Sequence, residues 1–236
     1  MTSTNIYSSK SDVAYAELRR RILSGTLEPG SRLAQYEIAA SLDMSITPLR
    51  EAIRRLGSEG LLDLDAHRNV HVARIDATEA RQLFEVRQLL DPPAVELAAA
   101  RRTDEDIAAM QQATERLLPV TRRWGEKALT AHREFHRTVY LASHNQMLTG
   151  LLDDLWDKSD RYRRVGLELP PDDEHRKRDL DEHHEIVELV IAGEGSAAAR
   201  LMHGHITRSI TPSAIDALER REGTGVSSPK SVQPRP

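Results

Sequence analysis

Ten histidines and no cysteine make imidazole the main source of metal-binding and proton-transferring groups in this 236-residue chain. Four of them stand where apolar side chains belong. Leu129, His132, His136, Val139 and Tyr140 recur at helical spacing on one face, Leu180, His183, Val187 and Val190 on a second, and Ala198, Leu201, Met202 and His205 on a third. A single imidazole on such a face is ordinarily a hydrogen-bonded core residue. Four aimed into one core, with His132 and His136 one turn apart, are costly to bury without a common purpose, and transition-metal ligation is the purpose open to them. With no thiolate available, any metal must be held by His, Asp or Glu. His144, His175, His184 and His203 read as surface or capping residues.

The second group with chemistry is arginine. Residues 10–74 hold ten Lys/Arg and nine Asp/Glu, a net of +1, so the remainder of a chain of net charge −4 carries −5. That contrast is weak, and nucleic-acid binding must rest on where individual arginines sit. A composition 39% hydrophobic and 30% charged is that of a globular chain. No apolar run approaches the roughly 18 residues of a membrane span, and Met1-Thr2-Ser3-Thr4-Asn5 lacks a secretory pattern, so a cytoplasmic location is expected.

The elements that must position these groups follow from periodicity and breakers. Tyr15, Leu18 and Ile22 mark a helix over 11–23, ended by Ser24-Gly25, and Glu28-Pro29-Gly30 is a turn. Two short helices, 35–42 and 46–59, are separated only by Asp43-Met44-Ser45 and must cross steeply. Pro48 fits the first turn of the second, with Ser45 or Thr47 supplying the capping oxygen. Leu61-Leu62-Asp63-Leu64 and Val70-His71-Val72 alternate as a hairpin. From about 78 to 220 the pattern is helical, broken at Asp91-Pro92-Pro93, Pro119, Asn145, Pro170-Pro171 and Gly193-Glu194-Gly195, which predicts about six antiparallel helices in a bundle. The expected fold is mostly α: a flexible arm over 1–9, a winged helix-turn-helix domain over 10–74, an antiparallel helical domain over 75–220 and a disordered tail over 221–236.

Helix, steep helix pair and hairpin, in that order, are the parts of a winged helix-turn-helix, whose second paired helix enters the major groove of DNA. Ile22-Leu23-Ser24-Gly25-Thr26-Leu27-Glu28-Pro29-Gly30-Ser31-Arg32-Leu33, then Ser45-Ile46-Thr47-Pro48-Leu49-Arg50-Glu51-Ala52-Ile53-Arg54-Arg55-Leu56 and Glu59-Gly60-Leu61-Leu62, resemble the GntR family of bacterial regulators over about sixty residues. Arg50, one turn into the recognition helix, is placed to bond both acceptors of a guanine, a contact worth roughly 1–3 kcal/mol of discrimination. Ser45 and Thr47 at the helix start suit phosphate, as do Arg54 and Arg55. Gln35 and Tyr36 replace the family's usual Glu-Arg pair, and Ile46 replaces a base-contacting arginine, so the operator is this chain's own. Ala34 stands where a capping serine is usual. Asn69 replaces the wing glycine, and His67 and Arg68 at the wing tip are further DNA-contact candidates.

Leu83-Phe84-Glu85-Val86-Arg87-Gln88-Leu89-Leu90-Asp91-Pro92, Phe135-His136, Glu182-His183 and the last helix with His205 resemble the FCD ligand-binding domain of the FadR-like GntR subfamily. That resemblance implies His136, His183 and His205 as metal ligands, with His132, whose imidazole can also bind a transition metal, as a fourth where the family has an aspartate. An all-nitrogen set favours zinc, nickel or copper over magnesium or calcium. It also implies a small organic acid as effector, for which Arg87, Tyr140, Arg161 and Arg164 are candidate contacts, Arg87 having Asp91 as an alternative partner. The expected function is a homodimeric repressor of double-stranded operator DNA. The competing class, a metal-dependent enzyme on a His-rich bundle, lacks support: the chain has no Glu-x-x-His pair, no His-Glu-x-x-His, no Gly-x-Ser-x-Gly and no phosphate-binding Gly loop.

Overall fold

The computed structural model describes residues 9–65, 69–121, 123–167 and 173–223. The described residues fall into two compact units, one holding the chain up to Ile75 with Trp156–Arg161, the other holding Asp76–Leu155 and the chain from Tyr162 onward.

In the first unit, α1 (Lys10–Leu23), α2 (Gln35–Ser41) and α3 (Ile46–Ser58) precede the strands β1 (Leu62–Leu64) and β2 (Val70–Val72). A reciprocal capping box starts α1: the Ser9 hydroxyl accepts from the Asp12 N–H, and the Asp12 carboxylate accepts from the Ser9 N–H. Ser9 thus belongs to a helix start rather than to an arm, and residues 1–8 lie outside the described residues. Between α2 and α3 the chain reverses at Asp43, whose φ of 48° is one that Asp adopts at lower cost than most residues. Gly60, at φ 73°, closes α3 and sends Leu61 N–H back to the Leu56 carbonyl at 2.9 Å. The strands pair antiparallel, Leu62 with Val72 and Leu64 with Val70. Arg32 adds a single bridge to His71, an extension the hairpin pattern alone did not reveal. Ala14, Leu18, Leu49, Ile53, Leu56, Leu61 and Val72 form a fully buried core.

The second unit comprises α4 (Ala77–Arg101), α5 (Asp104–Glu115), α6 (Gly125–Leu141), most of α7 (Gln146–Leu167), α8 (Asp173–Ala192), α9 (Gly195–Arg208) and α10 (Ile210–Gly223). The expected break at Asp91-Pro92-Pro93 does not occur. Both prolines lie inside α4, although each costs about 3 kcal/mol in a helix interior. Burial outweighs that cost: Ala80 and Leu83 anchor the helix before the prolines, and Ala94, Val95, Ala98 and Ala99 anchor it after them. Small residues let α9 lie close to α4, since a Cβ at Gly195 would come within 3.2 Å of the Glu96 carbonyl oxygen. An unexpected break at Ser209, in extended conformation, separates α9 from α10. Helix α10 runs to Gly223, so 221–223 are helical rather than tail, and 224–236 lie outside the described residues.

Candidate functional site

The DNA-reading face is built on α3, whose inner face buries Leu49, Ala52, Ile53 and Leu56. Its first turn carries no acidic residue and no side-chain cap. Ser45 is the N-cap by position, but its hydroxyl does not bond the helix, contrary to expectation, so it and Thr47 stand exposed beside uncapped amides. Arg50 faces a cleft of about 470 Å³ lined also by Arg32, Ala34, Gln35, Tyr36 and Asn69. Tyr36 is 74% exposed. The structure thus gathers Gln35, Tyr36, Arg50 and Asn69 around one opening and adds Arg32, whose guanidinium sequence reasoning passed over. Helix α2 starts at Ala34 without a side-chain cap.

Asn69 closes the wing turn on Asp65, through its N–H to Oδ1 and its side-chain amide to Oδ2, both at 2.9 Å. His67 and Arg68 lie outside the described residues. Arg54 is exposed, whereas Arg55 turns back onto α1: its guanidinium lies 3.6 Å from the Tyr15 ring centroid and pairs with Glu59 at 3.4 Å. That stacking gives the Arg55 guanidinium an intramolecular partner while its side chain stays exposed.

In the helical unit, His132 and His136 of α6, His183 of α8 and His205 of α9 converge, each offering one nitrogen within 4.8 Å of the others. All four are buried. Neighbours behind the rings decide which nitrogen holds the proton. Tyr140 donates to Asp91 Oδ2 at 2.9 Å, so its oxygen accepts from His136 Nδ1 at 3.1 Å, leaving the His136 Nε2 lone pair directed at His183 Nε2, 3.0 Å away. His205 Nδ1 donates to Glu182 Oε2 at 3.0 Å and lies 3.8 Å from Asp179. His183 Nδ1 has no hydrogen-bond partner, and Asp179 Oδ2 is 4.0 Å from it.

Electrostatics favour neutral rings at His132, His136 and His183. Burial first, then the neighbouring histidines and Arg87, hold His136 well below the ordinary histidine range. Burial and His205 push His183 down to about 3. Burial raises Asp179, but His183, His205, Arg163 and Arg176 outweigh it and hold the carboxyl ionised below its usual range. Glu182 likewise is lowered despite burial, by His205 and Arg208. Neutral imidazoles backed by carboxylates are the donor set a divalent transition metal requires. His136, His183 and His205 fit such an ion.

The candidate effector contacts divide. Arg87 is committed to Asp91, with Nη2 at 2.6 Å and Nε at 3.1 Å, so it anchors the chain Arg87–Asp91–Tyr140–His136 behind the centre. Tyr140 belongs to that chain. Arg161 donates to the Ala73 backbone oxygen within the first unit, and Arg164 pairs with Glu126. The guanidinium that reaches the histidines is Arg163, with Nη1 2.6 Å from His132 Nδ1. Sequence reasoning missed it, and helical spacing does not single it out, since Arg161, Tyr162 and Arg163 are all buried. His144, His184 and His203 are exposed, His144 pairing with Asp106 at 2.7 Å. The side chain of His175 is not among those described.

Residues 10–72 match the bacterial regulatory proteins of the gntR family, and residues 82–208, more than half of the chain, match the FCD domain. The chain belongs to the GntR family. It is a DNA-binding transcriptional regulator with an FCD effector domain, and the enzyme alternative finds no support among its relatives. It is 27% identical over 194 residues to the uncharacterized HTH-type transcriptional regulator YdhC of Bacillus subtilis, covering 81% of this chain and 85% of that one. The HTH-type transcriptional repressor GlaR of Escherichia coli is 25% identical over 209 residues, covering 83% and 92%. In fold, the chain resembles the solved structure of E. coli McbR with a TM-score of 0.74 at 24% identity, over 91% of this chain and 99% of that one.

Proposed function

We propose that this regulator is a cytoplasmic, homodimeric repressor released from its operator by a small organic acid bound at a metal centre of zinc or nickel. The observation that carries this reading is the convergence of four buried histidines, two of them hydrogen-bonded behind the ring, His136 to Tyr140 and His205 to Glu182, and a third, His183, with Asp179 4.0 Å from its Nδ1. When bound, the metal supplies a Lewis acid with coordination positions open to a carboxylate. The chain's own residues orient the rings: Arg87 holds Asp91, Asp91 holds Tyr140, and Tyr140 holds His136. Glu182 does the same for His205, and the Asp179 carboxylate lies 4.0 Å from His183.

On the DNA side, Arg50 reads a base, while Ser45, Thr47 and Arg54 approach phosphate, with Gln35, Tyr36, Arg32 and Asn69 around the same opening. One such domain reads too few base pairs for useful specificity, and two-fold half-sites supply the rest. Repression as the sign is supported by the relative named as a repressor. A coupling of only about 1–3 kcal/mol between acid and DNA suffices for a switch.

The test combines a gel shift on DNA from upstream of the protein's own gene with a thermal-shift screen of organic acids, with and without zinc or nickel. A metal-dependent rise in melting temperature, an acid that adds to it and loss of the DNA complex with that acid are expected. Replacing His136 with Ala abolishes the metal-dependent rise. An equal rise in H136A removes the metal centre, and indifference to every acid removes the effector class.

A further inference from the structure

His132 differs from the other three imidazoles in what holds its second nitrogen. Behind His136 and His205 stand groups that accept a proton, and His183 faces a carboxylate at longer range. Behind His132 stands Arg163. A guanidinium has five N–H donors and no acceptor, so at 2.6 Å His132 Nδ1 must be the acceptor. A neutral imidazole that accepts at Nδ1 carries its proton on Nε2.

Neither nitrogen of His132 is then a metal donor. Nδ1 spends its lone pair on the guanidinium, and Nε2 has none to give. The arrangement is the inverse of the one that prepares a histidine for ligation, in which the rear nitrogen is the proton carrier. Arg163 is itself buried and His132 lies in the heart of the cluster, its ring centroid 4.5 Å from those of both His136 and His183. The pair places one fixed N–H and one full positive charge at the edge of the site.

We propose that the centre is a three-histidine site of His136, His183 and His205, and that His132 with Arg163 is a donor pair for the carboxylate of the effector, not a fourth ligand. The inference rests on the metal-centre reading above. It assigns a purpose to the exchange of aspartate for histidine at this position: three neutral ligands leave one more coordination position for an anion than four would. The site lacks that aspartate's negative charge and holds the positive charge of Arg163, so an anionic ligand is drawn to it on both counts.

The experiment uses the full chain labelled with ¹⁵N-histidine, read by long-range ¹⁵N–¹H correlation after chelation and again with Zn²⁺. Three imidazoles are expected to move to the metal-bound pattern. The fourth, assigned by its loss in His132→Asn, keeps the Nε2-protonated pattern in both states. Co²⁺ titrations give the energetic counterpart: H132N holds the ion within about threefold of the unaltered protein, whereas His136→Asn weakens it on the order of 100-fold or more. Acetate added to the Co²⁺-loaded protein perturbs its absorption band, and H132N weakens that acetate response about tenfold. A fourth metal-bound imidazole, or Co²⁺ loss in H132N equal to that in H136N, overturns the proposal, and the labelled unaltered protein decides it even if a variant fails to fold. If the unaltered protein takes up neither ion, the metal-centre reading itself falls and this inference with it.

Discussion

The two units of this regulator put their working residues in opposite places. In the DNA-reading unit an apolar core of Leu18, Leu49, Ile53 and Val72 carries the fold, and the polar side chains proposed to meet DNA stand outside it around a cleft. In the helical unit the working side chains are the core: four histidines, Arg87, Asp91 and Arg163 are all buried. Separation makes binding and folding independently adjustable. Fusion makes every change at the site a change in stability as well, which is a sound basis for a sensor, since ligand binding is then felt by the whole bundle.

The largest expected effect tests the fused half. His183 titrates near 3 in the folded protein against an ordinary 6.5, because burial and His205 oppose its charge. The unfolded chain therefore binds protons that the folded chain refuses, so stability is fully present above about pH 6.5 and is lost as pH falls toward 3. His132 and His136, also lowered, act in the same direction. Denaturant midpoints of the chelated protein across that range should fall steadily; a flat profile would mean the imidazoles are hydrated and the two units do not differ in this way.

Two adjacent residues sharpen the separated half. Leu49 is fully buried and Arg50 faces the cleft. Leu49→Ala should destabilise the protein by about 2–5 kcal/mol in urea unfolding. Arg50→Ala should cost roughly 1–3 kcal/mol of discrimination between operator and random duplex while leaving the unfolding midpoint unchanged. A loss of stability in R50A comparable to that in L49A would erase the distinction. The smallest effect is a gain: Ala34→Ser supplies the cap that α2 lacks and should add about 1 kcal/mol, seen as a raised melting temperature.

The exposed half was the more legible one. Helix-turn-helix order, the turn at Asp43 and the wing follow from local periodicity and turn chemistry, as does the apolar stripe that leaves Arg50 on the other face. Legibility failed where a residue's neighbours come from distant segments. The Pro92-Pro93 pair reads as a break because the local cost is plain while the compensating burial of Ala94, Val95 and Ala98 is not. Arg87 was read as a contact for an acid with Asp91 as its alternative partner, and it is Asp91 that holds it. In the run Arg161-Tyr162-Arg163-Arg164 composition cannot say which arginine reaches the histidines, and Arg163, which does, was not chosen.

By itself, the order of residues determined the kinds of element, the family and the four histidine positions, because each is set by spacing along one chain. Which ring nitrogen carries a proton, and so which imidazoles can accept a metal and which can only donate, was decided by tertiary structure alone. That choice depends on whether a carboxylate, a phenol or a guanidinium from another helix stands behind the ring. No periodicity within a helix records it.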